Sequence, residues 1–178
     1  MPNQSRFLAL ILRHRPETID LELDTNGWVR IDDLLKAMRR YGRPMSRAEL
    51  ERVVSADRKG RFTLSADATR IRAAQGHSIE LDLGLPPSIP PDTLYHGTAR
   101  HHLNAIFGRG LHPARRQFVH LSRDFEAARS VGSRHGKAVV LSVDCAAMNA
   151  QGHVFFRADN GVWMTATVPA RFIGFAPN

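Results

Sequence analysis

A chain of 178 residues that is 43% hydrophobic and 24% charged has room for one medium domain or two small ones, and its composition excludes a disordered polymer. Lys and Arg number 25 against 17 acids, a formal net charge of +8, and only Lys36, Lys59 and Lys137 of those cations are lysines. Arginine offers a permanently charged planar fork that matches phosphate, so the excess suits a holder of polyanions, and equally the codon usage of a GC-rich genome.

No apolar run approaches the roughly 20 residues that cross a bilayer. The opening Met1-Pro2-Asn3-Gln4-Ser5-Arg6 lacks the basic-then-apolar pattern of a signal peptide. Cys145 is the single cysteine, which excludes a disulfide framework and a thiolate metal cluster. A reduced, cytoplasmic setting is the expectation, with no membrane partner.

From the N-terminus, Phe7, Leu8, Ile11 and Leu12 lie at helical spacing, and Pro16 stops that helix. A second helix carries Leu34, Leu35 and Met38, with Asp32 or Asp33 as its cap and Gly42 near its end. Ser46 followed by Glu49 is a capping box for a third helix, whose apolar face is Leu50, Val53 and Val54. Arg61 to Leu64 and Thr69 to Arg72, separated by Ser65 to Ala68, read as a hairpin. Three helices and a hairpin form a winged-helix pattern, a variant of the helix-turn-helix.

Four prolines between Pro86 and Pro91 predict a stiff connector at 84–92, dividing a helical lobe at 1–83 from a second at 93–178. Beyond it, strands are predicted around Tyr95, His120, Val140, Phe155, Trp163 and Ile173, with helices at Leu103–Phe107 and Phe125–Val131. The fold class is therefore α+β, with a strand-rich second lobe.

Common nucleotide motifs are missing. Gly108-Arg109-Gly110 lacks the third glycine of the dinucleotide fingerprint, and there is no Gly-Lys-Ser/Thr. His96, His101 and His102 have neither a His-Glu-x-x-His spacing nor a neighbouring cysteine, so no metal site is expected. Four strings remain: Leu12-Arg13-His14-Arg15-Pro16, Arg72-Ala73-Ala74-Gln75-Gly76-His77-Ser78, Leu94-Tyr95-His96-Gly97-Thr98 and His120-Leu121-Ser122. Singly, each has a plain structural reading. Basic residues near a helix C-terminus complement its dipole, and Gly76-His77-Ser78 is a turn. Gly97 at a strand end would let a ligand approach the backbone.

Together with Asp24-Thr25-Asn26-Gly27-Trp28-Val29 and Asp159-Asn160-Gly161-Val162-Trp163-Met164-Thr165, these strings resemble the RNA 2′-phosphotransferase family in order and spacing, from Ser5 to about Phe175. The resemblance implies a winged-helix-like RNA lobe, an ADP-ribosyltransferase-like lobe that takes NAD as co-substrate, and an active site between them. The substrate would be RNA carrying an internal 2′-phosphate, and the enzyme a monomer that needs no metal. The family's Arg-His-Arg-Arg set maps onto Arg13, His14, Arg72 and Arg134, with Arg129 the other candidate for the fourth place. His14 would move a proton or bind phosphate. Tyr95, His96, Gly97, Thr98, His120, Leu121, Ser122 and Val162 would line the NAD site, and Arg15, His77 and Ser78 would hold RNA. Many ADP-ribosyltransferases carry a catalytic Glu on a late strand, where this chain has Val162. Two rival readings remain: a transferase of ADP-ribose to terminal phosphates of nucleic acid, and a non-catalytic winged-helix regulator.

Overall fold

A computed structural model describes residues 2–177, the side chains of Pro2 and Asn3 excepted. The chain divides into two compact units, Met1–Gly84 and Leu85–Asn178.

In the first unit, α1 (Pro2–Arg13) buries Phe7, Leu8, Ile11 and Leu12 on one face. A residue before proline is driven from helical geometry. Arg15 accordingly stands at φ −145°, and a single 3-10 turn, Pro16–Ile19, follows. The short β1 (Val29–Arg30) leads into α2 (Ile31–Arg40). Arg30 occupies the cap position of α2 and makes no side-chain cap, which corrects the expected Asp32 or Asp33 cap. Both acids lie in the first turn, where they favour the positive end of the helix dipole. Arg30 and Lys36 form loose ion pairs with them. At the other end, Gly42 N–H donates to the Arg39 carbonyl and Arg43 N–H to that of Met38, a Schellman closure.

The capping box of Ser46 and Glu49 opens α3 (Arg47–Ser55) as expected. β2 (Phe62–Leu64) and β3 (Arg70–Ala73) form the hairpin. β1 pairs with the other side of β3 through Val29 and Ile71, giving the order β1-β3-β2.

The second unit opens with the proline stretch, tethered to it by Ser88 N–H donating to the Phe155 carbonyl at 2.8 Å. β4 (Thr93–Ala99), β6 (Ala138–Asp144) and β9 (Ile173–Phe175) make one antiparallel sheet in the order β4-β6-β9. β5 (Val119–Leu121), β7 (Phe155–Arg157) and β8 (Trp163–Thr165) make another in the order β5-β8-β7. A bridge between Tyr95 and Ser122 joins them. Helices α4 (Leu103–Arg109), α5 (Phe125–Gly132) and α6 (Cys145–Ala150) complete the unit. The chain is thus a mixed α+β protein of helices and small antiparallel sheets. Among the described residues no helix is long and apolar enough to cross a membrane.

Candidate active site

The end of α1 leaves backbone carbonyls that the helix itself cannot satisfy. The loop after β3 takes them. The His77 ring bonds the Leu12 carbonyl, and Ser78 N–H donates to the Arg13 carbonyl at 3.0 Å. Ser78 Oγ and His14 Nδ1 are hydrogen-bonded at 2.9 Å. One short loop therefore grips three successive residues of the Leu12-Arg13-His14 string.

His77 lies at the centre of this grip and is only 2% exposed. Burial first, and then the charges of Arg13, His14 and Arg72, push its pKa down to about 4. These four side chains are therefore close neighbours, with the neutral His77 imidazole among Arg13, His14 and Arg72. The expected RNA-binding residue His77 is thus placed with its ring buried beneath this loop. The turn above it needs Gly27, at φ +78°, where a Cβ would stand 3.1 Å from Leu81 and 3.7 Å from His77 Nε2.

The depressed pKa makes acid sensitivity a test of this arrangement. His77 binds its proton readily in the unfolded chain, near 6.5, and only near 4 in the folded one. Its stabilising effect is complete above pH 6.5 and is lost as pH falls through that window, on the order of 3 kcal/mol. His77→Asn keeps a donor for the Leu12 carbonyl but cannot titrate. Denaturant unfolding at pH 7 and pH 4.5 should show a smaller acid loss in the variant than in the parent. Equal losses would place the titration elsewhere.

Arg72 is buried. Its guanidinium stacks over the Trp28 ring at 4.5 Å, and Nη1 donates to the Leu83 carbonyl at 2.9 Å and the Asn26 carbonyl at 3.5 Å. These contacts tie it to the Asp24–Trp28 turn. Arg61 is the neighbour that sequence reasoning passed over. Its carbonyl accepts from Arg13 Nη2 at 3.5 Å, and its own Nη1 donates to Ser5 Oγ on α1 at 3.1 Å and to Asp57 at 2.7 Å. Just ahead of β2, it carried no signal beyond its charge. Arg15 is exposed at the start of the 3-10 turn.

In the second unit, Tyr95 and Ser122 exchange two backbone hydrogen bonds of 2.8 Å, and the Tyr95 ring meets Phe125 edge-on. One step along β4, His96 Nδ1–H donates to the His120 carbonyl at 3.1 Å. The neutral ring therefore presents Nε2 as an acceptor, and burial lowers its pKa, favouring that neutral form. Val162 immediately precedes Trp163, which pairs with Leu121, so it belongs to the Ser122 end of β5. Tyr95, His96, His120, Ser122 and Val162 are thus gathered along adjoining strand ends.

Three expected residues of that set are placed otherwise. Leu121 is buried in the core and Thr98 is buried, with Oγ1 3.5 Å from His102 Nδ1. At Gly97, the space a side chain would take is filled by the Ala128 carbonyl of α5, 1.7 Å from an ideal Cβ. Packing of α5 on β4 by itself requires a glycine there.

Arg134 lies exposed in the turn after α5. It stands close enough to Arg116 that burial, and then the Arg134 charge, lower the Arg116 pKa. Arg129, the other candidate, is paired with Glu126 at 3.6 Å across one turn of α5. Arg116 had an overlooked signal, two adjacent arginines shortly before His120-Leu121-Ser122. Among the described residues no group of three or more His, Cys, Asp or Glu is arranged to hold a metal ion.

The family model described as "RNA 2′-phosphotransferase, Tpt1 / KptA family" matches residues 2–167. Curated relatives include a "Probable RNA 2′-phosphotransferase" of Agrobacterium fabrum, 52% identical over 95% of this chain and 91% of its own length. Proteins of the same name are similar to it in Streptomyces coelicolor, 51% identical over 96% and 93%, and in Hahella chejuensis, 47% identical over 97% and 93%. With the match running through both units and through every string of the candidate site, the chain belongs to the RNA 2′-phosphotransferase family of transferases.

Proposed function

We propose that the protein removes an internal 2′-phosphate from RNA by transferring it to the ADP-ribose part of NAD, acting as a monomer in the cytoplasm. In this reading the first unit is winged-helix-like and meets the RNA, while the second is ADP-ribosyltransferase-like and takes NAD. The observation that carries it is the gathering of Arg13, His14 and Arg72 around the His77 ring. Like charges held this close are costly, and a bound dianion relieves the cost. Arg13 and Arg72, the arginines of that gathering, supply the charge that grips the phosphate.

The second unit fits NAD on one physical point. A half-buried His96, whose lowered pKa favours the neutral ring, does not repel the cationic nicotinamide ring. In the first step a 2′-phosphate oxygen forms a bond to C1″ of the nicotinamide ribose, and nicotinamide leaves with the electron pair of the broken bond. The nucleophile is already an anion and the leaving group leaves as a neutral molecule. No general base is needed, which agrees with Val162 where an acid would otherwise stand.

In the second step O2″ bonds to the phosphorus, the bond to O2′ breaks, and the O2″ proton is lost to solvent. His14 gives a proton to the departing O2′, and Arg116 and Arg134 hold the oxygens on which charge builds. The products are RNA with a free 2′-hydroxyl and ADP-ribose 1″,2″-cyclic phosphate.

Incubation with NAD and a short RNA bearing one internal 2′-phosphate should release nicotinamide one-for-one with dephosphorylated RNA. EDTA should leave the rate unchanged. Nicotinamide release without loss of the 2′-phosphate would instead mark a transferase that stops at ADP-ribosylation.

A further inference from the structure

We infer that the Tyr41 ring is a stacking platform for an unpaired base of the RNA, with Arg39, Arg40 and Arg43 beside it for the adjoining phosphates. The inference rests on the reading of RNA as the substrate and adds a second point of contact on the first unit.

It starts from an exposed aromatic. Tyr41 closes α2 and stays 48% exposed, while its ring lies on the Phe7 ring at 5.6 Å between centroids, with the planes 17° apart. Phe7 is itself buried, and the Arg43 guanidinium stands 4.5 Å from its centroid. The backbone is fixed as well, since Tyr41 N–H donates to the Ala37 carbonyl at 3.0 Å and Gly42 N–H to that of Arg39. One face of the tyrosine is thus held against the core, and the rest of the ring meets solvent. A ring oriented in advance is what a base stacks on, because every base has a π face.

Charge is the second observation. Arg39, Arg40 and Arg43 are exposed, and among the described residues they form no ion pair. Arg30, Lys36, Arg47 and Arg70 of the same unit are each paired with an acid. Arg39 and Arg40 share a surface hollow with Asp20, Glu22, Asp24 and Asp33. There Asp33 is engaged by Arg30 and Lys36, and Asp24 by Arg70. The helix dipole accounts for basic residues in the last turn of α2. It does not call for an exposed ring between them and Arg43. Arginines around one aromatic suit a single strand, with the ring for a base and the forks for phosphates.

The platform is also within reach of the Arg13-His14 end of α1. Phe7 precedes His14 by seven residues, and His14 N–H still donates to the Leu10 carbonyl, so the helical turn continues through it. Two turns put the pair on one side of α1, about 10 Å apart along its axis. A stacked strand rises roughly 3.4 Å per nucleotide, so a few nucleotides separate the platform from a phosphate gripped at that end.

The test uses the whole protein with Tyr41→Leu, Tyr41→Phe, Tyr41→Trp and Arg40→Ala. Leucine keeps an apolar cover on Phe7 without a ring, and a thermal melt of each variant checks that the fold is kept. The substrate is a single-stranded RNA of about ten nucleotides, the span of one such groove, with a central 2′-phosphate. Tyr41→Leu should raise KM for this RNA about 5–150-fold, the loss of one base–aromatic stack. The effect should vanish on a 2′-phosphorylated dinucleotide, which is too short to reach the platform, and Tyr41→Phe should match the parent. Binding is read separately, without NAD. In Tyr41→Trp the added indole fluorescence should be quenched as the RNA is titrated in, measured against the parent. Arg40→Ala should lower the salt slope of binding by about 0.7, one phosphate contact to a single strand.

Parental KM in Tyr41→Leu on the longer RNA, no quenching in Tyr41→Trp, or an unchanged salt slope in Arg40→Ala would each overturn the inference. So would equal losses on the longer RNA and the dinucleotide, which would make the ring a support of the fold. If the parent removes no 2′-phosphate from either RNA, the substrate reading fails instead, and the fluorescence titration still decides whether a base stacks at Tyr41.

Discussion

Arg116→Ala and Arg134→Ala are each expected to stall the reaction halfway, leaving RNA whose 2′-phosphate carries ADP-ribose. The first step joins a ready anion to a carbon that is losing a good leaving group, so it needs alignment more than added charge. The second expels an alkoxide from phosphorus, and negative charge builds on the phosphoryl oxygens as it does so. Arg134 stands near enough to Arg116 for its charge to act there, an arrangement suited to sharing one anion. Removing one donor to a developing oxyanion typically slows the step by about 10²–10³-fold, or roughly 3–4 kcal/mol. His120→Ala, on the strand beside His96, should instead slow the first step and accumulate nothing. A gel of RNA products over time separates these outcomes. Arginine variants that show only unreacted substrate would contradict this division of labour.

Gly97→Ala is expected to destabilise the second unit rather than merely to weaken NAD binding. An ideal Cβ at Gly97 would lie 1.7 Å from the Ala128 carbonyl oxygen, and one at Gly132 would lie 2.6 Å from that of Thr98. Strand and helix meet backbone to backbone through these two glycines, and no side-chain rotation relieves a clash with a carbonyl. The helix must move off β4, at a cost beyond the roughly 1–3 kcal/mol of ordinary overpacking. That corresponds to a fall in Tm of about 10 °C or more. Gly108→Ala is the control, because nothing lies within 4 Å of the added methyl. Parental Tm in Gly97→Ala with lost nicotinamide release would return this glycine to the ligand site.

Elements with a strong period or a local cap were legible in the sequence. The α1 stripe, the capping box of α3 and the hairpin of β2 and β3 all depend on neighbours within a few residues. β1 was missed because two residues are too few to show alternation, and its partner Ile71 is distant in the chain. α6 was missed for a similar reason: six residues, Cys145–Ala150, give barely more than one turn of pattern.

The candidate site shows the same limit. The string at Arg13-His14 pointed to the end of α1, yet whether a cation is open or engaged depends on contacts that no motif records. Arg72 and Arg61 are both arginines of one hairpin. The first meets the Trp28 ring and the Leu83 and Asn26 carbonyls, the second Ser5 and Asp57, and no motif distinguishes those surroundings. The burial of His77 and the close packing of α5 on Gly97 were likewise not revealed by their types alone.

The central claim is that the phosphate ends on ADP-ribose and not in water. The most direct measurement follows a label placed on the internal 2′-phosphate of a short RNA, with and without NAD. The account predicts that, with NAD, all released label appears as ADP-ribose 1″,2″-cyclic phosphate, and that without NAD none is released. Labelled inorganic phosphate released in the absence of NAD would contradict it.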